Sequence, residues 1–202
     1  MIIGVPKEIK NNENRVAITP AGVKAFTQTG HQVFVQKSAG LGSGITDQEY
    51  SDAGASILDS AQQVYEQSEM IMKVKEPMPV EYSMIRPGQI VFTYFHFAAS
   101  RELTEGMMER RSVCIAYETV ETEDKGLPLL NPMSEVAGKV AGHIAAYYLA
   151  LPYGGRGILM GGVPGVKPAK VVVIGGGFIG VELSDELNKA GKEIKFNGHS
   201  DQ

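Results

Sequence analysis

The sequence predicts an α/β protein: a Rossmann-like parallel-sheet domain followed by a partial Rossmann dinucleotide-binding unit. Three observations point that way. Short apolar runs alternate with helical patterns over the first 115 residues, as in βαβ units with right-handed crossovers. Glycines in GxGxxG spacing, Gly175, Gly177 and Gly180, follow a later apolar run, VVVI. A hydrophobic content of 43% over 202 residues is enough to build a core, which sets the chain apart from disordered sequences.

Taken in order, strands are expected at 2–5, 32–35, 69–73, 89–92 and 112–115, where Val, Ile, Phe and Met cluster. Helices are expected between them at 21–28, behind the Thr19-Pro20 start signal, and at 47–53, 60–67 and 100–110. Ser60 and Ser100 suit N-caps, because their hydroxyls accept from N–H groups that a helix start leaves unpaired; Asp47 leads the helix before them. Residues 121–132, ETEDKGLPLLNP, are polar and proline-containing and read as a linker. The chain divides accordingly into a domain over 1–130 and a second over 131–202. A helix over 133–149 opens the second domain, and its small residues, Gly138 and Gly142 among them, suit close packing against another backbone. A glycine-rich loop then leads to a strand at 171–174, the glycine triplet, a helix at 181–190 and a short strand at 193–197.

Charge and composition exclude several classes. A net charge of −4 argues against a broad nucleic-acid-binding face. One cysteine, Cys114, leaves no intrachain disulfide and no cysteine metal cluster. Placed within a strand, it reads as an inert core thiol. His31, His143 and His199 lack ligand spacing, so no metal site is expected. No apolar run approaches the roughly 18 residues that span a bilayer. The N-terminus sets its apolar stretch before its charges, the reverse of a signal peptide. A cytoplasmic protein is expected.

The glycine triplet has a physical logic for a dinucleotide. Gly175 permits the tight turn, Gly177 lets backbone approach a pyrophosphate, and Gly180 lets the helix sit close to the strand. The helix N-terminus then faces the negative charge. The same pattern also serves as a glycine-rich turn for packing alone. The acid that usually binds the adenosine ribose, roughly 20 residues on, is missing. That position reads Phe196-Asn197-Gly198, with Asp201 the only acid nearby.

Three segments of the first domain put charge where a strand ends, and ligands of parallel sheets gather beyond the carboxyl ends of strands. Arg15 offers a planar fork for a carboxylate. Lys75, near Lys73 in IMKVKEP, offers a point charge for a carbonyl oxygen, and His96 in VFTYFHFAAS an acid/base group near neutrality. Plainer readings stand beside these: Arg15 as a solvated surface residue, Lys73 and Lys75 as exposed strand-end cations, His96 as a hydrogen-bonded core histidine. Met133 begins the linker helix and is placed to touch a ligand.

The segments GVPKEIKNNENRVAITP, KVKEP, FTYFHFAASRELT, AYETVE, LPLLNPMSEVAG and GGRGILMGGVPGVKPAKVVVIGGG together closely resemble bacterial alanine dehydrogenase, a family grouped with the α subunit of proton-translocating transhydrogenase. The resemblance covers about residues 1–177. KVKEP and the YFHFA run match the alanine dehydrogenase form better than the transhydrogenase form. From Phe178 onward the stretch is more similar to the NAD domain of flavoprotein disulfide reductases.

The resemblance implies reversible oxidative deamination of L-alanine to pyruvate and ammonia, with NAD as hydride acceptor. It makes Arg15 the ligand of the substrate carboxylate and Lys75 a contact to the carboxylate or carbonyl oxygen. His96 becomes the acid/base for the carbinolamine steps. Met133 and Ser134 would line the nicotinamide and substrate cleft, with Gly175, Gly177 and Gly180 on the pyrophosphate. It also implies a homo-oligomer, a hexamer in the family. Family members are longer, so a chain truncated within the NAD-binding domain is expected, without the catalytic Asp carried late in that domain. The alternative is a catalytically inactive homologue that binds pyruvate or serves as an oligomer-interaction module.

Overall fold

The computed structural model describes residues 1–189, so the expected strand at 193–197, the Phe196-Asn197-Gly198 position, His199 and Asp201 lie outside the described residues. The chain forms two compact units, Met1–Val120 and a second from Glu121 onward.

The first unit is one six-stranded sheet. Its strands are β1 (Ile2–Val5), β2 (Gln32–Gln36), β3 (Ser56–Leu58), β4 (Met70–Lys75), β5 (Ile90–Tyr94) and β6 (Val113–Ala116). They run in the order β3-β2-β1-β4-β5-β6, and every pairing is parallel. The helices are α1 (Pro20–Gln28), α2 (Asp47–Asp52), α3 (Ala61–Gln67), the single turn α4 (Pro79–Tyr82) and α5 (Arg101–Arg110). Thr19, Thr46, Ser60 and Ser100 cap α1, α2, α3 and α5, each through a side chain that accepts a backbone N–H. Asp47 leads α2 as expected, and Thr46 before it is the cap, completing a reciprocal capping box with Glu49.

Both faces of the sheet are covered, as a doubly wound fold requires. Ile3, Val5, Val33, Val35 and Met72 pack with Val23 of α1 and Tyr50 of α2. Ile71 and Val91 pack with Val64 and Tyr65 of α3 and with Leu103 and Met107 of α5. The change of partner between Ile71 and Met72 is the two-residue period of a strand. Gly4 lets α3 approach the sheet: a Cβ there would stand 2.2 Å from Ser68 Oγ and 2.8 Å from Val64 Cγ1.

The second unit contains α6 (Asn131–Leu149) and α7 (Phe178–Lys189). The small residues of α6 do bring backbones together. A Cβ on Gly138 would stand 2.4 Å from Glu182 Cβ and 2.9 Å from the Ile179 carbonyl oxygen. Residues 171–174, expected as a strand, are not in one. Val172 and Ile174 are largely exposed, because no strand among the described residues lies alongside to take up their backbone hydrogen bonds. Among the described residues no helix is long and apolar enough to cross a membrane.

Candidate functional site

The site residues of the first unit collect where the strand order reverses. β1 and β4 lie side by side, and from them the chain winds outward in opposite directions through β2 and β5. Ligands of open parallel sheets bind in the crevice beyond the carboxyl ends at this point. Backbone pairing between β1 and β4 covers only Ile3↔Met70 and Gly4↔Ile71, so the strands part before their carboxyl ends. Three segments leave the sheet there: the loop after β1 with Arg15, the end of β4 with Lys75, and the turn after β5 with His96.

Arg15 is not simply a solvated residue. Its Nε donates to Glu13 Oε1 at 2.8 Å and its Nη2 to Glu13 Oε2 at 2.6 Å, a two-point grip on one edge of the guanidinium. The hydrogen bond from Arg15 pulls the Glu13 carboxyl down to about 2 against the opposing effect of burial, and the Lys75 ammonium adds to the pull. The same contact pushes the Arg15 guanidinium above its ordinary value. Glu13 thus marks Arg15 and Lys75 as neighbours in one electrostatic field.

Lys75 is half-buried at the end of β4 and level with Tyr94 of β5. Lys73, two residues earlier, is not an exposed strand-end cation. Its side chain is 1% exposed, and Nζ donates to Glu8 Oε2 at 3.2 Å and Glu81 Oε1 at 2.9 Å. Glu81 also accepts from the Tyr65 hydroxyl at 3.1 Å and from Met78 N–H at 2.7 Å. A buried cation costs several kcal/mol unless paired in this way.

His96 is not a core histidine either. Its side chain is 54% exposed, and its backbone is left-handed at φ 51°, ψ 44°, a conformation rare for a residue with a Cβ. The turn is held by Glu118, whose Oε1 accepts from Phe95 N–H at 3.1 Å and from His96 N–H at 2.6 Å. The imidazole Nδ1 lies 3.9 Å from that same oxygen. The Tyr94 ring stacks on the imidazole at 6.2 Å between centroids, and burial pushes its phenol up while the Arg15 charge opposes. Tyr94 therefore connects the Arg15 and His96 sides of the site. Beside His96 opens a cleft of about 300 Å³, lined among others by Lys10, Glu76, Met78, Tyr82 and Ser100. Lys10 forms an ion pair with Glu76 at its edge.

Glu8, Glu13, Tyr94 and Glu118 support the site, and the sequence reading did not single them out. Two left a signal. Glu13 stands two residues before Arg15, an acid close enough in sequence to pair with its guanidinium. Glu8 left one through Lys73, which sits inside an apolar strand where a cation must find buried acids. Cys114 is half-buried, with its thiol pushed up by burial, as suits an inert core thiol. Among the described residues no group of three or more His, Cys, Asp and Glu side chains is arranged to hold a metal ion.

The remaining predicted residues belong to the second unit. Met133 is half-buried in the first turn of α6; Ser134 is buried on the same stripe as Gly138 and Gly142. Gly175 has φ 120°, which favours glycine. A Cβ on Gly180 would lie 2.0 Å from the Gly175 carbonyl oxygen, so the loop folds tightly onto the start of α7. Around Gly176 and Gly177 no atom stands within 4 Å of where a Cβ would be. Open backbone just before the N-terminus of a twelve-residue helix fits the pyrophosphate of a dinucleotide.

The chain is similar to known proteins over nearly its whole length. Residues 4–137 match the family model described as "Alanine dehydrogenase/PNT, N-terminal domain", and residues 141–196 match "Alanine dehydrogenase/PNT, C-terminal domain". The family likeness therefore continues past Gly177, further than the motif resemblance reached. An alanine dehydrogenase of Methanococcus maripaludis is 57% identical over 184 residues, 91% of this chain and 49% of the relative. An alanine dehydrogenase of Bacillus subtilis is 55% identical over 194 residues, 96% of this chain and 51% of the relative. The chain thus spans about half the length of these curated relatives. A solved L-alanine dehydrogenase superposes with a TM-score of 0.86 at 48% identity, covering 96% of this chain and 54% of that one. A transhydrogenase from Sinorhizobium meliloti follows at 0.74 and 29%, covering 94% of this chain and 54% of that one. The chain belongs to the alanine dehydrogenase/PNT family.

Proposed function

We propose that this chain carries the substrate-site chemistry of an NAD-dependent L-alanine dehydrogenase, the reversible oxidative deamination of L-alanine to pyruvate and ammonia. The observation that carries the reading is the grouping of a guanidinium, an ammonium and an imidazole at the strand-order reversal, in a chain 57% identical over 184 residues to an alanine dehydrogenase. A cytoplasmic location and a homo-oligomer belong to the same reading.

Arg15 binds the substrate carboxylate through its planar fork, with Glu13 holding the guanidinium in orientation. Lys75 places a positive charge against the carboxylate or the carbonyl oxygen. Bound NAD supplies the acceptor for the hydride that leaves the alanine Cα. Removal of that hydride from alanine whose amino group has already given up its proton to solvent leaves an iminium, and water must attack its carbon. His96 takes the proton from the attacking water, gives it to nitrogen, and takes the hydroxyl proton as the carbinolamine collapses to pyruvate and ammonia. In the reverse direction Lys75 and Arg15 stabilise the negative charge on the carbinolamine oxygen and the carboxylate. Gly175, Gly177 and Gly180 are the residues that would hold the pyrophosphate, with Met133 and Ser134 on the nicotinamide and substrate.

A second reading, an inactive homologue that binds pyruvate or serves as an interaction module, draws on one observation. The run 171–174, which would support the glycine loop from beneath, is unpaired among the described residues. Calorimetric titration of NADH and of pyruvate, with an alanine-dependent NADH assay alongside, separates the two. Turnover that His96→Ala abolishes supports the enzyme. Pyruvate binding without NADH binding or turnover supports the module.

A further inference from the structure

We propose that Glu8 is a positioning residue that sets the place of Lys75. The proposal begins with a defect in the sheet. β4 and β5 pair Met72↔Phe92 and then Lys75↔Tyr94, so three steps along β4 oppose two along β5. That is a β-bulge, which bends its strand and re-aims the side chains that follow. On its other side β4 has lost β1, whose pairing ends at Gly4↔Ile71. The N–H groups at the end of β4 would then lie buried without partners.

Glu8, in the loop that continues from β1, takes the place of the missing strand. Its Oε1 accepts from Val74 N–H at 2.6 Å and from Lys75 N–H at 3.3 Å. Its side chain is 3% exposed, and its Oε2 accepts from Lys73 Nζ. Lys73 supplies the positive charge that allows a carboxylate to stay there, and Glu81 fixes Lys73 from the opposite side. One side chain therefore ties the loop that carries Arg15 to the backbone of Lys75. Glu8 thereby couples the loop carrying Arg15 to the strand end carrying Lys75. This account rests on the reading above in taking Lys75 as a ligand of the substrate.

Two conservative variants of the full chain separate positioning from mere charge balance. Glu8→Gln keeps the reach and an acceptor oxygen but loses the charge. Glu8→Asp keeps the charge but withdraws the oxygens by one methylene. Positioning predicts that Glu8→Asp is the worse. Hydrogen exchange, followed by NMR, should speed up by about tenfold or more at Val74 and Lys75, with β2 amides unchanged. Pyruvate affinity should fall by a similar factor, and Glu8→Gln should recover most of both. Unchanged exchange at Val74 and Lys75 in Glu8→Asp overturns the proposal, as does Glu8→Gln being equal or worse on both readouts. If Lys75→Ala leaves pyruvate affinity unchanged while exchange still follows the Glu8 variants as described, Glu8 positions Lys75 and the substrate reading alone falls.

Discussion

Arg15 and His96 are both held in unusual states by a neighbouring carboxylate, and each hold has a measurable cost or gain. Glu13 ionises at about 2 in the folded protein against an ordinary 4.5. A depressed carboxyl contributes stability that is fully present above its unfolded value and is lost as pH falls through the folded one. The stability difference between wild type and Glu13→Gln, from urea unfolding, should be full at neutral pH and shrink between about 4.5 and 2. A difference independent of pH would contradict the Arg15–Glu13 geometry. His96 sits at φ 51°, where a Cβ costs about 1 kcal/mol or more and glycine costs little. His96→Gly should therefore be more stable than His96→Ala by about 1 kcal/mol in thermal unfolding, although both lose the imidazole. Glu118→Ala removes the acceptor of two successive N–H groups and should cost about 1–3 kcal/mol.

At the scale of elements, close approach decides what the sheet tolerates. Gly4→Ala would drive a methyl into Ser68 and Val64, and its unfolding free energy should drop by about 1–3 kcal/mol. An unchanged midpoint would mean that α3 stands further from β1 than described. Most of this unit was legible in the sequence, because apolar runs and cap residues are local signals: β1 occupies its expected residues, and β2, β5 and β6 fall within two. β3 and α4 were not legible. A strand of three residues and a helix of one turn are too short to show a period. β4 runs two residues past its expected end, since Lys73 and Lys75 read as the polar close of a strand. What keeps Lys73 inside is a pair of acids, one of them 65 residues away in sequence, and no local pattern announces such a partner. The same holds for the site. Arg15, Lys75 and His96 stood out by residue type at strand ends, whereas Glu8 and Glu118 act on backbone groups far along the chain.

At the scale of the molecule, the proposed substrate site belongs to the first unit and the glycine loop to the second. Val136, Val140 and Ile144 recur along one side of α6, each 43–54% exposed, an apolar stripe that supports the proposed homo-oligomer. Val140→Glu should shift the light-scattering mass to a smaller species, and an unchanged mass would remove that stripe from the interface. Arg15, Lys75 and His96 are proposed to form one site for a small 2-oxo acid. Calorimetric titration of pyruvate into wild type, Arg15→Lys and Lys75→Ala tests it most directly. Saturable binding in wild type should weaken about tenfold or more in each variant, since lysine cannot reproduce the guanidinium fork and alanine removes the Lys75 charge. Equal affinity in all three proteins would contradict it.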